Sequence, residues 1–215
     1  MTHAPATLSV TRPVSLTSGR WEVPCVCADN QRLVRILGAS LGSVTGKARF
    51  RDATSADVYA IMAIQEPAAV EGLGHIFPQD EHPFPRTEVA ERWVAEFARP
   101  DTFVYVSTDD SERITGFAAR RASELMHFGT ALQTWGTGLA TELHDHLVAT
   151  FPQSLHVLHL FVFSENGRAR RFYEKLGWVA TSETRRTAFP PHPTLVRYEL
   201  RRDSKHRLPA SQLPL

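Results

Sequence analysis

The chain has 215 residues, 42% of them hydrophobic and 22% charged, with a net charge of +1. That suits one ordinary globular domain with something left over, and excludes fibrous, mucin-like and wholly disordered classes. The near-neutral balance argues against a nucleic-acid partner. No apolar run approaches the roughly 20 residues of a membrane-spanning helix, so no membrane partner is expected. The start, MTHAPATLSVTRPVSLTSGRWEVPC, lacks an apolar h-region and a small-residue cleavage site, so the expected location is cytoplasmic. Cys25 and Cys27 are the two cysteines. They cannot make a disulfide framework, a zinc site would need further ligands, and they read as bystanders in a reduced compartment. Charge is uneven: Asp52 to Glu112 holds thirteen carboxylates against three arginines, whereas Glu165 to Arg207 holds eleven Lys and Arg against five carboxylates.

Residues 1–47 are rich in Thr, Ser, Pro and Ala and have no clear period, which predicts a poorly ordered leader. A folded domain is expected over 48–201 and a frayed tail over 202–215. ARFRDAT reads as a short strand, and Thr54 or Ser55 can cap a helix over Asp57–Gln65 with Val58, Ile61 and Met62 on one face. The stretch Glu71–Arg86, with two glycines and three prolines, reads as irregular. Thr87 caps a second helix in which Val89, Trp93 and Phe97 recur every four residues.

TFVYVST and RITGFAARR, joined by a polar turn, form a hairpin, and SELMHFGTAL is a third strand. Gly129 inside that strand signals a bulge or a close backbone approach. A turn at Trp135–Gly138 opens a helix marked by Leu139, Leu143 and Leu147. LHVLHLFVF is nearly continuously apolar, as in a strand buried on both faces. Asn166 starts a further helix ending at Gly177. Two strands close the pattern, VATSETRRTAF and TLVRYEL. The order predicts an α/β (α+β) mixed sheet with one βαβ crossover at its centre.

Two motifs carry chemistry. In Thr134-Trp135-Gly136-Thr137-Gly138-Leu139-Ala140 the glycines free the backbone to curl at a helix N-terminus, where N–H groups and the helix dipole favour an anion. No Gly-Lys-Ser/Thr follows, so it is not a Walker loop, and it is shorter than a Rossmann fingerprint. A plain tight turn would look the same. The second motif is Asn166-Gly167-Arg168-Ala169-Arg170-Arg171-Phe172-Tyr173-Glu174-Lys175-Leu176-Gly177-Trp178, directly after the buried strand. Together the two resemble the GNAT superfamily of N-acetyltransferases, and the resemblance extends over 48–200.

The resemblance implies a mostly antiparallel twisted sheet with a central splayed parallel strand pair and flanking helices. It implies acetyl-CoA as acyl donor, no metal, and direct attack of a primary amine of a small molecule or peptide in a ternary complex. A non-catalytic acyl-CoA-binding module is the alternative. The coenzyme pyrophosphate would lie on Gly136, Thr137, Gly138, Leu139 and Ala140. The register Trp135-x-x-Gly138-x-Ala140 is preferred over Gln133-x-x-Gly136-x-Gly138, and it puts Trp135 where the family has Arg or Gln. Phe128, Gly129 and Thr130 would pair with the pantetheine arm, with Gly129 as the splaying bulge. Asn166 would contact pantetheine amides, on a helix whose Ala169 and Phe172 match the motif.

Tyr173 matches the family acid that protonates the leaving thiolate. Phe172 and Leu176 are expected in the core, with Tyr173 turned about 100° toward the cleft. An alkyl amine of pKa about 10.4 must lose a proton before attack, and Glu124 and His127 are the first candidates to take it, ahead of Asp80, Glu81 and His82. His156 and His159 read as satisfying local hydrogen bonds. The acceptor is expected to be cationic and to meet Glu71, Asp80 and Glu81, with His75, Phe77, His82 and Phe84 as a wall. Either a monomer or a homodimer is compatible with the sequence.

Overall fold

A computed structural model describes residues 48–187 and 189–202. The expectations for the leader, Cys25, Cys27 and the tail beyond Arg202 lie outside the described residues. Among the described residues seven strands form one sheet: β1 (Arg49–Asp52), β2 (Thr102–Thr108), β3 (Ile114–Arg121), β4 (Glu124–Thr130), β5 (Val157–Phe163), β6 (Val179–Arg186) and β7 (Thr194–Arg201). Their order is β1-β2-β3-β4-β5-β7-β6. Every neighbouring pair is antiparallel except β4 and β5. Helices α1 (Val58–Leu73), α2 (Arg86–Phe97), α3 (Leu139–Thr150) and α4 (Gly167–Lys175) flank it.

Strand alternation explains the two layers. Val104, Val106, Phe117 and Ala119 join Val58, Ile61, Met62, Val89 and Trp93 in a core under α1 and α2. Their neighbours Tyr105 and Ala118 point the other way, into a core with Leu143 and Leu147 of α3 and Ala169 and Tyr173 of α4. β5 feeds both layers, with Leu158, Leu160 and Val162 on one face and Phe161 and Phe163 on the other. That accounts for its unbroken apolar run.

Helix α1 runs eight residues beyond the expected end at Gln65 and carries Pro67 inside it. An internal proline costs a helix about 3 kcal/mol. Here the ring is on the exposed side, while Ala68, Ala69 and Leu73 continue the buried stripe against Phe161, Phe163 and Leu195. Burial of that stripe outweighs the lost hydrogen bond. The first turn is fixed by Asp57, which accepts from Thr54 N (2.8 Å) and from both terminal nitrogens of Arg51 (2.9 Å each). These donors hold its carboxyl at a pKa of about 2. Pro85, not Thr87, is the N-cap of α2, because Val89 N already reaches Pro85 O at 3.0 Å.

Behind α4, Trp178 Nε1 donates to His144 Nε2 at 2.9 Å, so that nitrogen is an acceptor and the ring is neutral. Nδ1 of the same ring then donates to Asp145 Oδ1 at 3.0 Å. Burial holds His144 and His127 below the usual imidazole range. In the unfolded chain both titrate near a pKa of about 6.5, so below that pH the unfolded state binds more protons. Stability should therefore fall as pH drops from 7.5 to 5.5, by up to about 1.4 kcal/mol per pH unit for each histidine. Urea unfolding across that range measures it. His144→Gln keeps an acceptor for Trp178 and should flatten the slope; an unchanged slope would mean His144 is not one of the groups responsible.

Candidate active site

β4 and β5 are parallel but pair through one register position, Glu124 with His159. His159 N donates to Ser123 O at 2.9 Å, beside that position. Toward their C-termini the strands pair no further, leaving the β5-facing backbone edge at Phe128 and Gly129 open, while Thr130 O is taken by Trp135 Nε1. The opening lies where a βαβ sheet binds ligands, beyond the C-terminal ends of its parallel strands. The sequence places the splay at Gly129, and the structure moves the irregularity. The ladder with β3 shifts between Ala119 and Arg120, opposite Leu125 and His127, so Met126 is the extra residue. Gly129 serves close approach instead: a Cβ there would lie 2.7 Å from the Phe117 ring.

At the mouth of the gap, Gly136 (φ 80°) and Gly138 (φ 96°) turn the chain into α3, with Gly138 as its left-handed N-cap. Thr137 N is taken by Thr134 O (3.2 Å). Leu139 N reaches Thr137 Oγ1 at 3.4 Å. Among the described residues, no backbone carbonyl engages the N–H of Gly136 or Gly138. A Cβ built on Gly138 meets nothing within 4 Å. This is an open concavity lined by backbone donors at a helix N-terminus, and it fits a pyrophosphate.

Trp135 points away from that concavity. Its Nε1 donates to Thr130 O at 3.2 Å, and its ring packs on the apolar cluster beneath α1. The Arg168 guanidinium lies 3.3 Å from the centroid of that ring. Sequence reasoning missed Arg168, although the tryptophan standing where the family has Arg or Gln was a signal to look for a cation nearby. It places a positive charge from α4 against the Trp135 ring.

Asn166 is buried and caps α4, its side-chain oxygen accepting from Ala169 N at 3.0 Å. Ala169 is fully buried. The expected orientation of the next turn is reversed. Tyr173 is 0% exposed, whereas Phe172 and Leu176 are partly buried. Tyr173 takes the core position because Trp178 closes against it, ring centroids 5.7 Å apart. Phe172 stands beside it over Phe128, at 5.9 Å. The Tyr173 hydroxyl has no hydrogen-bond partner among the described residues, and neither does Thr130 Oγ1. Burial pushes the phenol pKa well above 10. A buried hydroxyl without a partner is uncommon in a folded protein, so Tyr173 and Thr130 each keep hydrogen-bonding capacity to spare.

The two base candidates part company. Glu124 is buried at the paired end of β4, with Arg185 Nη2 3.9 Å from its carboxylate. His127 sits under α2, where the bulge at Met126 turns it toward Trp93 (ring centroids 5.0 Å). Its Nε2 is 2.8 Å from Glu96 Oε1. Glu96 was not anticipated, though a carboxylate three residues after Trp93 falls on the apolar stripe of α2 and was legible as an anomaly. His156 and His159 were expected to make local bonds, and His159 Nδ1 lies 3.2 Å from Ser123 Oγ.

The segment after α1 is brought partly to one place. Phe77, Glu81, His82 and Phe84 line a cavity of about 250 Å³ together with Phe163 and Phe189. Gln79 shapes the turn, donating to Phe77 O (2.8 Å) and accepting from Phe84 N (3.0 Å). Asp80, Glu71 and His75 do not line it; the His75 ring nitrogen lies 3.1 Å from Glu165 O instead. Among the described residues no group of three or more His, Cys, Asp or Glu could hold a metal ion. Nor is any helix there long and apolar enough to cross a membrane.

Comparison with known proteins agrees with this geometry. Among curated proteins, none matches the sequence significantly. The apo form of YjaB from Escherichia coli superposes with a TM-score of 0.57 at 17% identity, covering 71% of this chain and 97% of that one. The ribosomal-protein-S18-alanine N-acetyltransferase from Escherichia coli gives 0.56 at 18% identity, covering 75% and 99%. Spermidine N-acetyltransferase from Vibrio cholerae, in complex with CoA and spermine, gives 0.55 at 17% identity, covering 72% and 95%. At such identities these likenesses establish the fold. Residues 68–192, more than half of the chain, match the model of the acetyltransferase (GNAT) domain, and the protein belongs to that family of acyltransferases.

Proposed function

We propose that the protein transfers an acetyl group from acetyl-CoA to a primary amine by direct attack in a ternary complex. The observation that carries the reading is the Tyr173 hydroxyl, buried without a partner in the same cluster as Phe128 of β4 and Leu160 of β5. Acetyl-CoA supplies an activated thioester. The amides of Gly136, Gly138 and Ala140, with Thr137 and Leu139 already engaged within the turn, hold its pyrophosphate, and Arg168 adds charge nearby through its place on Trp135. The edge of Phe128, Gly129 and Thr130, where only Thr130 O is already taken, by Trp135 Nε1, pairs with the pantetheine arm, and Asn166 contributes its side-chain amide.

In the reaction the amine nitrogen bonds to the carbonyl carbon and the carbon–sulfur bond breaks. Glu124 takes the amine proton, directly or through a water, because it is buried at the closed end of the gap. Tyr173 gives its proton to the departing sulfur and regains one from the nitrogen, which sheds its second proton as the amide forms. Free thiols and phenols have pKa values of about 8.5 and 10, and burial raises both, so the transfer depends on a short, dry hydrogen bond. Holding the amine against the thioester supplies most of the acceleration.

A thermal scan tests the donor assignment. Acetyl-CoA should raise Tm, since the cradle exists only in the folded chain. Acetate plus AMP should not. With a panel of primary amines, the thiol should then appear only when an amine is present. Selective binding without turnover on any amine would favour the non-catalytic acyl-CoA-binding module.

A further inference from the structure

Resting on that reading, we infer that the acceptor is a small primary monoamine carrying an aromatic group of one or two rings, seated in the cavity between α1, residues 77–85 and the β6–β7 turn. Four phenylalanine rings wall the cavity: Phe77, Phe84, Phe163 and Phe189. Phe77 and Phe163 already meet edge to face, at 5.3 Å and 69°. The remaining lining is largely aliphatic side chains of α1 and prolines. Among the described residues Glu81 is its one carboxylate, and it is exposed.

Size and chemistry select the occupant. An apolar cavity of about 150 Å³ holds a benzene ring, so one of about 250 Å³ has room for one or two rings. Ring walls offer edge and face contacts that an aromatic guest gains beyond plain burial. An extended polycation fits poorly: beyond Glu81 its further ammonium groups would be pressed against apolar walls with no counter-charge.

Position links the cavity to the reaction. It lies on the α1–α2 side of the sheet, whereas α3 and α4, whose N-termini hold the donor, lie on the opposite side. Phe163 ends β5, the strand that borders the gap. Trp135, which opens the cradle, packs on the same apolar cluster as Leu73, Phe77 and Phe84. A guest ring in the cavity thus lies across the sheet from the cradle, with the β4–β5 gap between its tethered amine and the thioester. Donor and acceptor enter from opposite faces.

The test is a steady-state comparison with acetyl-CoA of 2-phenylethylamine, tryptamine, n-propylamine and spermidine. The two aromatic amines should exceed n-propylamine and spermidine at least tenfold in kcat/KM. Val70 is 36% exposed on α1 and lines the cavity, so Val70→Trp can cover the opening without disturbing the core. It should collapse the aromatic-to-propyl ratio to near one. Phe189→Ala, in the β6–β7 turn, should lower the ratio as well. Indole, which has no amine to acetylate, should raise the Tm of the wild type and not that of Val70→Trp.

Equal kcat/KM for all four amines, or a preference for spermidine, would overturn the inference while leaving the acetyltransferase reading intact. So would a preference for hexanoyl-CoA over acetyl-CoA that Val70→Trp abolishes, since the cavity would then hold the acyl chain. Absence of turnover with every amine, together with no shift by indole, would overturn both.

Discussion

Replacing Tyr173 by Phe should lower kcat about 100-fold while leaving KM for acetyl-CoA within about twofold. The hydroxyl is fully buried and has no partner among the described residues. Leaving a hydroxyl unsatisfied costs a fold roughly 1–3 kcal/mol, so its removal should hold or raise Tm. A tyrosine present for packing would behave oppositely in kinetics, since Phe keeps the ring against Phe172 and Trp178 and turnover would not change. The combination of lost kcat, retained donor affinity and undiminished Tm identifies an acid that acts only as the thiolate departs. An unchanged kcat would mean that water or another group protonates the sulfur.

The sheet was readable because its two layers are written in alternation, as in Val104-Tyr105-Val106, and because β5 is apolar on both faces. The left-handed turn into α3 was readable from its glycines. What escaped reading depended on tertiary packing. Pro67 looks like a stop until Ala68, Ala69 and Leu73 find Phe161 and Phe163 under them. Phe172 and Tyr173 are adjacent on one helix, and local pattern gave no reason to bury the polar ring rather than the apolar one. Trp178 decides it by closing on Tyr173. Gly129 was correctly read as special, yet its reason is the Phe117 ring across the ladder, and the extra residue that turns His127 under α2 is Met126. Glu96 and Arg168 were missed because each acts through a residue distant in sequence, His127 and Trp135. The acidic loop shows the same limit: of Glu71, Asp80 and Glu81, only Glu81 reaches the cavity.

Gly138 provides the sharpest separation of cofactor binding from folding. Its φ of 96° is one that side chains rarely adopt, so any replacement strains the turn. The strain is limited, about 1–2 kcal/mol for a non-glycine residue in left-handed backbone, and a Cβ there meets no protein atom within 4 Å. A Gly138→Phe variant should therefore fold, with Tm lowered by several degrees. Its ring, however, stands in the concavity between α3 and the turn amides, where the pyrophosphate is proposed to bind. The acetyl-CoA-induced rise in Tm should disappear, and KM for acetyl-CoA should rise at least 100-fold, the loss expected when several charge-assisted backbone hydrogen bonds are blocked together. Gly138→Asn is the control, because asparagine tolerates left-handed backbone and projects less bulk. It should retain part of the shift. If Gly138→Phe still gains stability from acetyl-CoA as the wild type does, the phosphates do not bind at the start of α3. The alternative register, centred on Gln133 and Gly136, would then hold them.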